Sequence, residues 1–389
     1  MASTTRRSEL PPVVGRRSRD SSSAVLRAIL DHGPVARSSV ARAAQLSHAS
    51  VTGIVGSLLE RGLVCEVPQA AGPRGMGRPH VPLDIDARSL AVAGVHIAVK
   101  QITVALLDLR GRVLARQQRP HGSTEPAAVL RSARELVAGI RRTHGSQRRI
   151  LGLGLATGGW VDAEAGTVVE HDLLGWREVP AGALLAAATG LPVRLDSNAR
   201  ALLKAEQLVG RVARQARRSA VHLFVGNVVD VAFALGGVVH RGSRSAAGAV
   251  AHLPIEGCAE VCACGRTGCL QAAVSQRTLL RRAVAAGLIR RPVFDDLLAA
   301  AGSGSAPALE LLHERARLVG RAAALLLDLF DPEVLIVTEQ GVNRLPGCLA
   351  TLRAEAGARS AGGSVHPSSF ADAVPAVAGG AVALDLVYG

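Results

Sequence analysis

His252–Cys269 reads H-L-P-I-E-G-C-A-E-V-C-A-C-G-R-T-G-C and holds four of the chain's 6 cysteines, Cys258, Cys262, Cys264 and Cys269. Cys262 and Cys264 flank a single residue. Gly265 and Gly268 let the backbone turn back sharply, and Cys269 closes the loop. Thiolates and an imidazole gathered by tight turns are what a tetrahedral structural Zn²⁺ requires, and a full set of four leaves no open catalytic position. The predicted ligands are His252, Cys262, Cys264 and Cys269, with Cys258 as a spare that can replace one of them. A disulfide reading fares worse, because no secretory signal is visible and Cys-Ala-Cys is too tight to bridge easily within the pair.

Outward from this loop, 389 residues suit two or three domains. With 48% hydrophobic residues, 42 Gly and only 2% aromatics, the core has to be built from Ala, Val and Leu. No run of about 18 uninterrupted apolar residues occurs, which argues against a membrane span. Free cysteines without a signal peptide predict a cytoplasmic protein. The net charge of +14 points to an acidic partner, nucleic acid first, although Arg so outnumbers Lys that a compositional bias toward Arg is the plain alternative.

Residues 1–21 carry Arg, Ser and Pro without apolar periodicity and are expected to form a disordered basic arm. Residues 22–88 change character. Ala24, Val25, Ala28 and Ile29 make one apolar helical face, and Gly33-Pro34 ends that helix. A short helix follows Ser38. Ser47 is placed to cap another, on which Val51, Ile54, Val55, Leu58 and Leu59 share a face. Two short helices joined by a tight turn, the second opening with small polar residues, is the layout of a helix-turn-helix. Ser47, His48, Ser50 and Thr52 would then meet base edges or phosphates of double-stranded DNA, with Arg37, Ser38 and Arg42 toward the backbone. A three-helix bundle used for protein contacts is the competing reading. Strands at 63–67 and 80–85 predict a β-hairpin wing whose loop carries Arg74 and Arg78, basic and extended enough for a narrow minor groove.

From residue 89 to 389 the pattern is strand–turn–strand–strand, then helix and strand, and it occurs twice. That predicts an α/β fold with two lobes around a cleft. The first set runs through L-A-V-A-G-V-H-I and Q-I-T-V-A-L-L-D, a helix near 127–142, I-L-G-L-G-L-A-T, and V-R-L-D-S leading into a helix. The second begins at A-V-H-L-F-V and ends with a long Ala/Leu helix near 308–330, V-L-I-V and a last helix.

Taken together, these stretches resemble the ROK family, and within it the winged-helix sugar-responsive repressors. The residues that carry the resemblance are His252, Cys262, Cys264, Gly265, Gly268 and Cys269, with L-G-L-G and G-G-W-V-D at 151–162 and L-G-W-R-E-V-P at 174–180. It implies an actin-like, ribonuclease H-like two-lobed domain behind a winged helix-turn-helix. Family members are either sugar kinases or DNA-binding regulators controlled by a sugar or sugar phosphate.

The kinase motifs are degraded. The first phosphate loop resembles Asp-x-Gly-Gly-Thr in kinases, and here it is His96-Ile97-Ala98-Val99-Lys100. The second resembles Gly-Thr-Gly-x-Gly, and here it is Gly226-Asn227-Val228-Val229-Asp230. Anchored on Glu206 and Gly210, the catalytic-base position falls on Asn198, whose amide cannot take a proton as a carboxylate does. A rival register makes Asp196 the base. The resemblance places ligand contacts at Asn198, His252 and Gln271. With the family's carboxylates replaced by neutral groups there, the ligand is expected to differ, anionic or less hydroxylated, or to be absent.

The sequence therefore predicts a non-enzymatic transcriptional regulator, a repressor in sign. It would be a homodimer or homotetramer on a pseudo-palindromic operator, with paired heads about 34 Å apart. A sugar kinase with a fused DNA-binding head and a ligand-independent regulator are the alternatives.

Overall fold

The computed structural model describes residues 16–68, 81–145, 147–255, 258–360, 362–371 and 373–389. The chain divides into two compact units, one running up to Ala87 and including Val387–Gly389, the other Arg88–Leu386.

In the first unit three helices, α1 (Arg16–His32), α2 (Arg37–Ala44) and α3 (His48–Glu60), precede strands β1 (Val64–Glu66) and β2 (Leu83–Ile85). Helix α1 begins inside the stretch expected to be a disordered arm. Once Ala24–Ile29 pack, adding a turn upstream costs one residue's entropy per hydrogen bond, and Arg is a good helix former. Gln45 ends α2 in the left-handed region at φ 55°, and Ser47 Oγ accepts the Ser50 amide at 3.1 Å to start α3. Val51, Val55 and Leu58 are buried beneath α3, while Ile54 and Leu59 are only half-buried. β1 and β2 pair antiparallel, Val64 opposite Ile85, and Val35 adds a bridge to Leu83. The strands are shorter than the sequence suggested, because Pro68 and Pro82 have no N–H to extend the ladder. Arg74 and Arg78 lie outside the described residues.

The second unit holds two five-stranded sheets of matching topology. In the first, β3 (Leu90–Ile97), β4 (Gln101–Asp108) and β5 (Val113–Pro120) form an antiparallel meander. After helix α4 (Pro126–His144), β6 (Arg149–Thr157) pairs parallel with β3. A small sheet of β7 (Trp160–Asp162), β8 (Thr167–His171) and β9 (Trp176–Val179) follows, then α5 (Ala181–Thr189). β10 (Val193–Ser197) pairs parallel with β6 and leads into α6 (Asn198–Val209) and α7 (Ala213–Ala216). The second sheet starts with the antiparallel β11 (Ser219–Val225), β12 (Val229–Leu235) and β13 (Val238–Val239). Helices α8 (Leu270–Val274), α9 (Gln276–Ala285), α10 (Phe294–Gly302) and α11 (Ala306–Phe330) come next. β14 (Val334–Thr338), α12 (Gln340–Arg344), α13 (Pro346–Gly357), β15 (Ser364–Pro367) and α14 (Val374–Tyr388) complete the chain. The orders β5-β4-β3-β6-β10 and β13-β12-β11-β14-β15 are the same path walked twice.

Between the sheets, Ala199, Ala201, Leu202 and Leu203 of α6 and Ala378 and Val382 of α14 pack with Ala156, Ala220, Ala232 and Ile336. Small residues make the approach close. A Cβ on Gly94 would come within 2.3 Å of the Gly380 amide nitrogen, so β3 and α14 touch backbone to backbone. Among the described residues no helix is long and apolar enough to cross a membrane.

Candidate functional site

Three places in the fold bear on function. The first is the start of α3. Ser47, His48, Ser50 and Thr52 are all exposed there, as is Arg42 on α2, while Arg37 and Ser38 are half-buried. Thr52 Oγ1 donates to the His48 carbonyl at 2.8 Å, and Arg42 Nη2 to Ser39 Oγ at 3.2 Å. Arg37 is partly engaged, since its Nη2 meets Glu66 Oε1 on β1 at 2.7 Å.

The second is the cysteine loop. A bridge between Pro254 and Cys269 and another between Val261 and Thr267 fold it back on itself, with Gly265 at φ 83° and Gly268 at φ 80°. The donor atoms of His252, Cys262, Cys264 and Cys269 all lie within 4.8 Å of one another. Cys264 Sγ is 3.7 Å from Cys269 Sγ, and Cys262 Sγ is 3.6 Å from His252 Nδ1. Tetrahedral zinc with Zn–S near about 2.3 Å and Zn–N near about 2.0–2.1 Å separates its ligands by about 3.6–3.8 Å. The four residues therefore fit such an ion. Arg266 beside Cys264 holds its thiol down at about 6, whereas burial and the neighbouring thiols push Cys269 up to about 11. Crowded thiols resist ionising together, and a cation among them removes the conflict. Cys258 stands outside this group and packs against the core of the second lobe.

The third is a cavity of about 270 Å³ walled by β8, the start of α6, β12 and the 244–252 loop. His252 and Gln271 line it; the Gln271 Oε1 accepts the Val229 amide at 3.1 Å. Asn198, the remaining expected contact, is not among the lining residues. The N-cap Ser197 faces the cavity, and the next helical position turns Asn198 into the protein at 4% exposure, beside His96. Burial pushes His96 down to about 4, and Asn198 opposes that shift only in part. Neither His96 Nε2 nor Asn198 Oδ1 has a partner in hydrogen-bond geometry among the described residues.

Sequence reasoning missed Trp160, His171, Arg200 and Asp230, all of which line the cavity. Arg200 is 3% exposed and held at three points: Nε meets Asp196 Oδ1 at 2.5 Å, Nη1 the Ser245 carbonyl at 3.1 Å and Nη2 the Val161 carbonyl at 2.8 Å. The Asp-x-x-x-Arg spacing at 196–200, which puts both groups at one helix start, was the available signal. Lys204 Nζ lies 3.1 Å from Asp196 Oδ2. Burial alone would raise Asp196, but Lys204 and Arg200 hold it below the usual carboxylate range. That neutralised, acidic carboxylate is a poor general base, which disfavours the rival register.

The profile of the ROK family matches residues 92–381. The chain belongs to the ROK family. The transcriptional regulator Rv0485 of Mycobacterium tuberculosis H37Rv is 32% identical over 385 residues, 95% of this chain and 86% of its own. The DNA-binding transcriptional dual regulator NagC of Escherichia coli K12 is 28% identical over 81% of this ROK chain and 79% of its own. A solved ROK family transcriptional regulator, a homologue of the E. coli MLC protein, superposes with a TM-score of 0.79. That superposition covers 96% of this chain and 97% of the other at 22% identity, a likeness of fold. Regulators thus align with this ROK protein well beyond the span of the family profile.

Proposed function

We propose that this ROK protein is a DNA-binding transcriptional regulator, a repressor in sign. In this reading the first unit is a winged helix-turn-helix. The second is a catalytically inert, sugar-kinase-like effector domain whose cysteine loop holds structural Zn²⁺. The observation that carries the reading is the start of α3, where Ser47, His48, Ser50 and Thr52 stand exposed above a face buried through Val51, Val55 and Leu58. An amphipathic helix whose polar first turn is left to solvent suits insertion into a major groove. The likeness of relatives named as regulators along nearly the full chain points the same way.

Several features speak against phosphoryl transfer. His96 stands neutral and buried where kinases resemble one another in an Asp. Asn198 takes the base position, and Asp196 is held by two cations. Zinc at His252, Cys262, Cys264 and Cys269 would supply charge compensation and a fixed loop, placing the His252 ring at the cavity wall. An effector acts on such a regulator only through different affinities for its DNA-bound and free states.

Anisotropy titrations with duplex DNA, run beside an ADP-release assay over a panel of hexoses, test the proposal. Salt-dependent duplex binding without ADP release is expected. Turnover that disappears in Asp196→Ala would instead make the protein a kinase with a fused DNA-binding head.

A further inference from the structure

Asp230, on β12 at the cavity wall, is half-buried and forms no salt bridge among the described residues. Its Oδ1 accepts the Val231 amide at 2.9 Å, and its enclosed Oδ2 has no hydrogen-bond partner among the described residues. Burial pushes the carboxyl up to about 6 against the opposing pull of Arg200 on α6 and Ser197, with Asp196 on β10 adding to the rise. The hydrogen bonds of Arg200 go to Asp196, Val161 and Ser245, and none is directed at Asp230 among the described residues. The other two carboxylates of the wall are provided for: Glu170 and Asp172 meet Arg177 Nη2 at 2.8 and 3.0 Å. On the same wall the ring of Trp160 has the Arg244 guanidinium 5.7 Å from its centroid, so this aromatic face already holds a cation. Arg244 itself is exposed.

We propose that the effector is a hexose-sized molecule carrying an ammonium group, which Asp230 anchors while Trp160 provides the face it stacks on. The inference rests on the reading of this cavity as an effector site. A hydroxyl would give Asp230 a donor yet leave its charge uncompensated, whereas an ammonium supplies both.

Calorimetric titration of the full chain at pH 7 with glucosamine, glucose, N-acetylglucosamine and glucose 6-phosphate tests this, with tryptophan fluorescence followed in parallel. Trp176 is 1% exposed, so a ligand-dependent change reports Trp160. Glucosamine should bind about tenfold or more tightly than glucose or N-acetylglucosamine, as a charge-assisted bond predicts. Asp230→Asn should abolish that preference while the circular dichroism spectrum and duplex binding stay unchanged. Equal or weaker binding of glucosamine in the unmodified protein overturns the proposal without any variant, as does a preference that survives Asp230→Asn. Preferential binding of glucose or glucose 6-phosphate would leave the effector site standing and remove only its amine. Silence from all four probes would remove both.

Discussion

Arg42 and His48 are both exposed, but they are expected to fail differently when truncated. Arg42 can offer charge to a phosphate, so Arg42→Ala should weaken every duplex alike and lower the salt slope by about 1. His48 stands in the first turn of α3, so His48→Ala should cost about 1–3 kcal/mol on the preferred duplex and little on others. Neither should move the melting temperature, because neither side chain is part of the core. Competition anisotropy at several salt concentrations separates the two effects; a uniform loss from His48→Ala would remove it from base reading. Among single residues, legibility tracked distance along the chain. His252, Cys262, Cys264 and Cys269 are close in the chain, and turns at Gly265 and Gly268 bring them together, so spacing alone located them. Arg200 and Asp230 come from different elements, and their roles depend on Val161, Ser245 and Ser197, which spacing cannot bring together. Asn198 lies one helical step away from the cavity wall, where the N-cap Ser197 takes the direction that faces the cavity.

Among the elements, the cysteine loop should behave as a metal clip. Elemental analysis is expected to find about one zinc per chain. Cys269→Ala should lose it and melt at lower temperature, and Cys258→Ala should keep it. Retention of metal by Cys269→Ala with loss from Cys258→Ala would reassign the ligand set. The contact of β3 with α14 gives a second expectation. Gly94→Ala sets a methyl against the Gly380 backbone, which cannot yield as a side chain can, and should destabilise the protein by about 1–3 kcal/mol. A melting temperature equal to the parent's would contradict that close approach.

Buried imidazoles also tie these elements to pH. Burial pushes His96 and His171 down to about 4 and His222 down to about 3. All three stay neutral when folded yet protonate near about 6.5 when unfolded. Their contribution is therefore intact above about 6.5 and is lost as pH falls toward about 4. Asp230, raised to about 6, works in the opposite sense, but only between about 4 and 6. Thermal melts should fall between pH 7 and pH 6, before Asp230 begins to offset the trend. His222→Gln, which can keep a bond to the Thr338 hydroxyl, should make that fall shallower. A slope unchanged by the variant would mean that His222 takes no part.

For the molecule as a whole, the two-lobed α/β architecture was legible because the strand–strand–strand–helix pattern recurs, and the structure repeats one sheet order. The long helix expected near 308–330 is α11, Ala306–Phe330. The packing of α14 between the sheets stayed hidden, since a helix apolar on nearly every side gives no periodic stripe to read. The start of α1 was hidden as well, because Arg16–Ser21 carry no apolar pattern and are helical by extension from the packed Ala24–Ile29 turns. If this ROK protein reads DNA by sequence, selection of bound duplexes from a randomised library by the full-length, zinc-loaded protein should reveal it. Enrichment of one pseudo-palindromic site is predicted, with half-sites about 10 base pairs apart, centre to centre, or a multiple of that spacing, and with the enrichment lost in His48→Ala. A pool that binds only in proportion to length and salt, with no shared sequence after successive rounds, would contradict sequence reading.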